Sequence, residues 1–309
     1  MSFPLAGNER VRDALTAAIA ADRIPHAVLI YGEKGTGRHT LARFLSRAAV
    51  CGGENPPCGV CRGCRLAESG AHPDVITALP EAGKKNISVS QIRRIRSEAY
   101  VKPHMADRRV FIIDGAGTMN AEAQNALLKV LEEPPGSVVF ILIAESAAEL
   151  LDTVVSRCTA VSLVPPEISE AAEYIGRTSD YGGPRIISAL ELTGGNIGAA
   201  LELLSGGSAA ARSAAERFAA YLLAPDEAEM LKITARFEKS RTEADLFLKE
   251  LKLCVAREAR KRASDVAAAK KLISFYGELS RFEESLKINI NLSLLFCALV
   301  CRAAGLNQI

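Results

Sequence analysis

Ala27-Val28-Leu29-Ile30-Tyr31-Gly32-Glu33-Lys34-Gly35-Thr36-Gly37-Arg38-His39-Thr40 decides the fold. The apolar run 27–31 reads as a buried strand, a glycine-rich turn follows directly, and a helical pattern runs from Arg38 to about Ala49. Strand, glycine turn and helix form the context of a phosphate-binding loop, G-x-x-x-x-G-K-[ST]. In that loop backbone N–H groups cradle phosphates, the Lys reaches the β- and γ-phosphates, and the hydroxyl ligates Mg²⁺. Gly32 and Gly37 keep the spacing, with Gly35 between them, but Arg38 stands at the Lys position and His39 at the hydroxyl position. Arg is a planar fork where Lys is a compact point charge, so the exchange is not conservative. Thr40 comes one residue late, which on a helix turns it about 100° away from a metal. The loop predicts the architecture of a nucleotide-binding domain without the groups that hydrolyse nucleotide.

A second stretch points the same way. Arg108-Arg109-Val110-Phe111-Ile112-Ile113-Asp114 reads as a buried strand ending in a carboxylate, followed by Gly115, Ala116 and Gly117. In a hydrolysing enzyme of this type the Asp helps to hold Mg²⁺ and a following acidic residue polarises water. No such acid follows here, so Asp114 is expected to end the strand and start a turn.

At 309 residues and 49% hydrophobic content the chain has material for two or three domains. No apolar run reaches the length of a membrane span and no charged-then-apolar leader opens the chain, so a cytoplasmic protein is expected. A net charge of +2 neither demands nor excludes nucleic acid, and the lack of Trp argues against an autonomous base-stacking platform. Four of the eight cysteines cluster as C-x6-C-x2-C-x2-C: Cys51, Cys58, Cys61 and Cys64. Closely spaced thiolates with Pro56, Pro57 and Gly59 shaping the turns suit one structural Zn²⁺ better than a disulfide pair in a reducing compartment. Cys158, Cys254, Cys297 and Cys301 are scattered and are expected to be small core residues.

Up to Pro165-Pro166, strand and helix patterns alternate. Helices are expected over Arg10–Ala21, Val89–Tyr100 and Asn120–Glu133, and strands over Val75–Leu79, 110–113, Val138–Ala144 and Thr159–Val164. Such alternation predicts a mostly parallel sheet covered on both sides, with the cysteine insert interrupting it at about 51–70. Beyond the prolines only helical periodicity remains, divided by a linker-like Gly206-Gly207-Ser208. Three domains are therefore expected: α/β over 1–165, a small helical domain over 166–207 and a helical bundle over 208–309.

Residues 120–135, Asn-Ala-Glu-Ala-Gln-Asn-Ala-Leu-Leu-Lys-Val-Leu-Glu-Glu-Pro-Pro, resemble the signature of the bacterial DNA polymerase III clamp-loader subunits. Ser156-Arg157-Cys158 is similar to the triplet that carries this family's arginine finger. The four-cysteine insert, His72-Pro73-Asp74 and Asn289-Ile290-Asn291-Leu292 near the end also match, although the family often has a longer first cysteine gap. The resemblance implies an AAA+ α/β domain with a zinc insert, a small helical lid and a C-terminal collar. The family's hydrolysing subunit keeps the Lys-Thr pair, the acid after the Asp, and an arginine where Gly198 stands here. Its delta subunit lacks both the insert and the triplet. Retaining both while losing the catalytic residues resembles the delta-prime subunits.

That resemblance implies a part of a polymerase holoenzyme that hydrolyses no ATP itself and lends Arg157 in trans to a neighbouring ATPase subunit. Partners would be the motor and delta subunits of a hetero-pentamer and, through it, the sliding clamp and primed DNA. Nucleotide contacts by Gly32, Gly35, Gly37, Arg38, His39, Thr40 and Asp114 would be degenerate, with weak backbone binding left open. Arg93, Arg94 and Arg96 could track DNA phosphates or form a solvated face. Two rivals stand beside this reading: an active ATPase of the same family, and a zinc-dependent nucleic-acid-binding module.

Overall fold

The computed structural model describes residues 3, 5–205, 209–286, 288 and 290–305, so Gly206-Gly207-Ser208 and Asn289 lie outside the described residues. The chain divides into two compact units, Met1–Glu167 and Ile168–Ile309.

In the first unit α1 (Glu9–Ala20), β1 (Ala27–Tyr31), α2 (Arg38–Ala49), α3 (Arg62–Glu68), β2 (Val75–Ala78), α4 (Val89–Ala99), β3 (Arg109–Asp114), α5 (Ala121–Glu132), β4 (Val138–Ala144), α6 (Asp152–Val155) and β5 (Thr159–Ser162) follow in order. The sheet runs β2-β3-β4-β1-β5, and every pairing is parallel. Parallel strands need crossover helices on the faces, so both faces are covered and the inner strands read as unbroken apolar runs. All seven residues of β4 are buried. The two-residue strand period sends Ala27, Leu29, Phe111, Phe140 and Leu142 into the layer beneath α4 and α5. It sends Val28, Ile30, Val110, Val139 and Ile141 into the layer shared with α1 and α2. Phe111 and Phe140 stand opposite each other in register and stack at 5.5 Å.

The helices begin where side chains can satisfy free N–H groups. Ser88 and Gln91 form a reciprocal capping box at α4, and Asn120 accepts from the Ala123 N–H at 2.9 Å to open α5. Pro134-Pro135 forbids its continuation.

The second unit is helical throughout its described residues: α7 (Ile168–Thr178), α8 (Gly183–Leu192), α9 (Ile197–Ser205), α10 (Ala209–Ala220), α11 (Glu227–Thr234), α12 (Arg241–Lys261), α13 (Val266–Leu286) and α14 (Leu292–Gly305). It holds one apolar cluster from α7–α9 and a larger one from α10–α14. α12 serves both, placing Leu253 in the smaller cluster and ion-pairing its buried Glu250 with Arg185 of α8. Cys254 is buried as expected, but Cys297 and Cys301 are exposed. Leu295, Phe296, Leu299, Val300 and Ala303 form the buried face of α14, and helical geometry turns both cysteines to its other side. No helix among the described residues is long and apolar enough to cross a membrane.

Asp74 ties the edge of the sheet to the loop before β3. Its carboxylate accepts the N–H groups of His104, Met105 and Ala106 at 2.6, 2.7 and 3.0 Å, and its carbonyl accepts from Val110 N–H at 2.7 Å. His72 Nδ1 accepts the Asp74 N–H at 3.0 Å. Burial alone would raise the Asp74 carboxyl, but the three N–H donors outweigh it and hold it below its ordinary 3.8. A depressed carboxyl stabilises the fold above its unfolded value and loses that contribution as the pH falls through its folded one. Asp74→Ala should therefore cost about 3 kcal/mol in urea denaturation at neutral pH. The gap between wild type and variant should narrow as the pH is taken below 3.8.

Candidate functional site

The carboxyl ends of parallel strands are where such sheets bind ligands, and here that edge gathers the Gly32–Thr40 loop, Asp114 and Glu145. The Gly32 N–H donates to the Glu145 carbonyl at 3.2 Å, and the Thr36 hydroxyl closes the loop on the Glu33 carbonyl at 2.8 Å. Gly37, at φ +96°, adopts a backbone conformation that suits glycine, and a Cβ there would come within 2.4 Å of Leu5 Cδ2. The arm carrying Leu5 is held by Asn8, whose side chain bonds both the N–H and the carbonyl of Val164.

The two residues at the head of α2 are both engaged by groups at the strand ends, Arg38 buried and His39 exposed. Arg38 is buried; its Nη1 donates to the Ala144 carbonyl at 2.5 Å and its Nη2 lies 3.7 Å from Glu145. His39 Nε2 lies 2.9 Å from Asp114 Oδ1. The carboxylate at the end of β3 is thus engaged by the second residue of α2. Thr40 is exposed. Gly115, at φ +85°, starts a turn directly after Asp114, as the sequence predicts.

Ser156, Arg157 and Cys158 lie between α6 and β5, at a corner built by α5. Gln124 is buried in α5; its amide donates to the Met119 and Glu149 carbonyls and its oxygen accepts the Leu151 N–H at 2.7 Å. This fixes the entry to α6. Cys158 packs on the apolar layer, and burial pushes its thiol up to about 11. Between these anchors Arg157 reaches outward: Nη1 donates to the Thr153 carbonyl at 2.8 Å and Nη2 lies 2.7 Å from Glu132 Oε1. The sequence reading did not single out Gln124 or Glu132. A signal existed for Glu132, an acid at the end of a helix, where the dipole disfavours it.

The three arginines of α4 differ. Arg93 pairs with Glu122 at 2.9 Å and Arg94 with Glu98 at 2.8 Å, whereas no ion pair forms at Arg96 among the described residues.

The four clustered cysteine Sγ atoms lie within 4.8 Å of one another. Tetrahedral Zn²⁺ with Zn–S bonds of about 2.3 Å needs sulfurs about 3.8 Å apart, and Cys51 and Cys61 Sγ are 3.9 Å apart. Backbone N–H groups of Cys58, Cys61 and Cys64 point at Sγ of Cys51, Cys58 and Cys61, at 3.3, 3.4 and 3.4 Å. The Cys64 N–H draws the Cys61 thiol down to about 6, while burial pushes Cys64 up to about 12. A dication would reconcile these opposed tendencies by stabilising all four thiolates. The donor set therefore fits zinc, which would cross-link the insert and leave no open coordination position. Protein purified without chelator should carry one zinc per chain by elemental analysis. Cys61→Ser should lose it, while the far-UV circular dichroism of the sheet unit should persist, because none of the four cysteines belongs to either apolar layer of that sheet.

A family model described as DNA polymerase III, delta subunit, matches residues 7–167, just over half of the chain. The DNA polymerase III subunit delta' of Escherichia coli is 35% identical over 198 residues, 63% of this chain and 59% of that one. The subunit of the same name from Bacillus subtilis is 38% identical over 157 residues, 50% and 47% of the two chains. The matches thus span about half the length of these relatives. A DNA polymerase III gamma subunit-related protein of Thermotoga maritima aligns over 94% of this chain and 97% of its own, at 22% identity and a TM-score of 0.46. With the family match spanning nearly all of the first unit and carrying both the glycine loop and the Ser156-Arg157-Cys158 corner, the chain belongs to the DNA polymerase III delta-prime family of clamp-loader subunits.

Proposed function

We propose that this chain is a clamp-loader subunit that hydrolyses no ATP of its own and lends Arg157 to ATP held by a neighbouring subunit. The observation that carries the proposal is a contrast between arginines. Arg38, at the catalytic Lys position of the chain's own loop, is buried against the Ala144 carbonyl. Arg157 stands at a surface corner with N–H groups to spare. An arginine aimed across an interface stabilises charge developing on a transferred γ-phosphoryl group. It needs no nucleotide at its own loop to do so.

In this reading the AAA+ unit works within a hetero-pentamer with ATPase motor and delta subunits, which places the sliding clamp on primed DNA. The cysteine cluster holds a structural zinc. Of the α4 arginines, Arg96 is the best candidate for a DNA-phosphate contact, because Arg93 and Arg94 already face carboxylates.

The isolated chain should turn over no ATP above background, with or without Arg38→Ala. Turnover abolished by that substitution would mean the loop is catalytic. Arg157→Ala should leave the chain folded and able to assemble, since its contacts are those of a partly exposed side chain. The facing ATP site should lose about 10³–10⁵ in rate, and DNA-stimulated hydrolysis and clamp loading by the reconstituted assembly should fall to what the other sites sustain. Wild-type rates in a fully assembled variant complex would overturn the proposal.

A further inference from the structure

We infer that Glu132 is the positioning residue for Arg157, ordering its guanidinium before a neighbour's phosphate arrives; this rests on reading Arg157 as a trans-acting arginine. Arg157 Nη2 lies 2.7 Å from Glu132 Oε1, and Nη1 donates to the Thr153 carbonyl at 2.8 Å and to Ser156 Oγ at 3.4 Å. A guanidinium carries five N–H groups, so these contacts leave two for an incoming phosphate. The side chain is ordered and still unsaturated.

The placement of Glu132 is an independent indication. It is the last residue of α5, where negative charge opposes the helix dipole. Arg157 supplies the compensating cation. The same helix sets the approach to α6 through the Gln124 oxygen on the Leu151 N–H. Carboxylate and arginine therefore share one rigid reference, buried through Leu127, Val130 and Leu131.

An arginine free to sample its rotamers must be ordered when the transition state forms, and that entropy cost would fall on the barrier. Glu132 moves the ordering into the resting fold. It does so without neutralising the arginine. The two side chains are 47% and 34% exposed, so water screens their attraction, and a multiply charged phosphate competes well for the remaining donors.

The test uses single-turnover hydrolysis by the reconstituted assembly, with gel filtration and thermal melting to verify each variant. Glu132→Ala should slow the facing site about tenfold, a smaller loss than Arg157→Ala causes, with the ATP KM unchanged. Glu132→Gln should stay near wild type, because its amide oxygen still accepts from Nη2. Glu132→Ala combined with Arg157→Ala should be no slower than Arg157→Ala alone. A Glu132→Ala rate at or above wild type, or an additive double variant, overturns the positioning role while leaving Arg157 as the finger. Arg157→Ala at the wild-type rate instead removes the finger reading. Separately, NMR relaxation of the Arg157 Nε–H in the isolated chain should show lost order in Glu132→Ala, and unchanged order overturns the inference.

Discussion

Seven consecutive residues of β4 are buried, with β1 paired along one side and β3 along the other. No part of that strand can shift without exposing backbone groups or breaking two ladders, so its end is the fixed point of the functional edge. From it the Glu145 carbonyl holds the glycine loop, and the Ala144 carbonyl holds Arg38. The β3 end, in register with it, brings Asp114 within 2.9 Å of His39. The glycine loop keeps its form because the sheet beneath it dictates that form, independently of whether nucleotide chemistry survives there.

Cations on this unit divide by burial. A charge taken from water must find partners, and Arg38 has the Ala144 carbonyl with Glu145 at the rim. His39 and Asp114 engage one another between the head of α2 and the end of β3. Arg157 is partly exposed, with Nη1 on the Thr153 carbonyl and Nη2 on Glu132. What separates the two arginines is whether the chain folds over them.

Segments with one dominant physical signal were legible to the residue. β1, α2 and β4 have the bounds that their apolar runs, glycine turn and helical pattern predict. The cysteine spacing announced a cluster, and four sulfurs within 4.8 Å of one another bear out their gathering. Where signals were weak, the structure decided. Cys297 and Cys301 resemble core residues by composition, yet on α14 the phase of Phe296 and Leu299 leaves both thiols outside. By sequence Arg93 and Arg94 could track phosphates or form a solvated face, and the fold gives them Glu122 on another helix and Glu98 one turn along as partners.

The sequence by itself determined the class of fold, the Arg38-His39 pair that follows the glycine loop, the cysteine donor set, and the family. Each follows from residue type and short-range spacing, which a chain carries whether folded or not. Only the tertiary structure decided where Arg38 points, that His39 meets Asp114 across 75 residues of chain, and that Glu132 faces Arg157. Those facts depend on which helices lie side by side once both faces of the sheet are covered. Side chains far apart along the chain become partners only when burial of the apolar layers fixes their backbones.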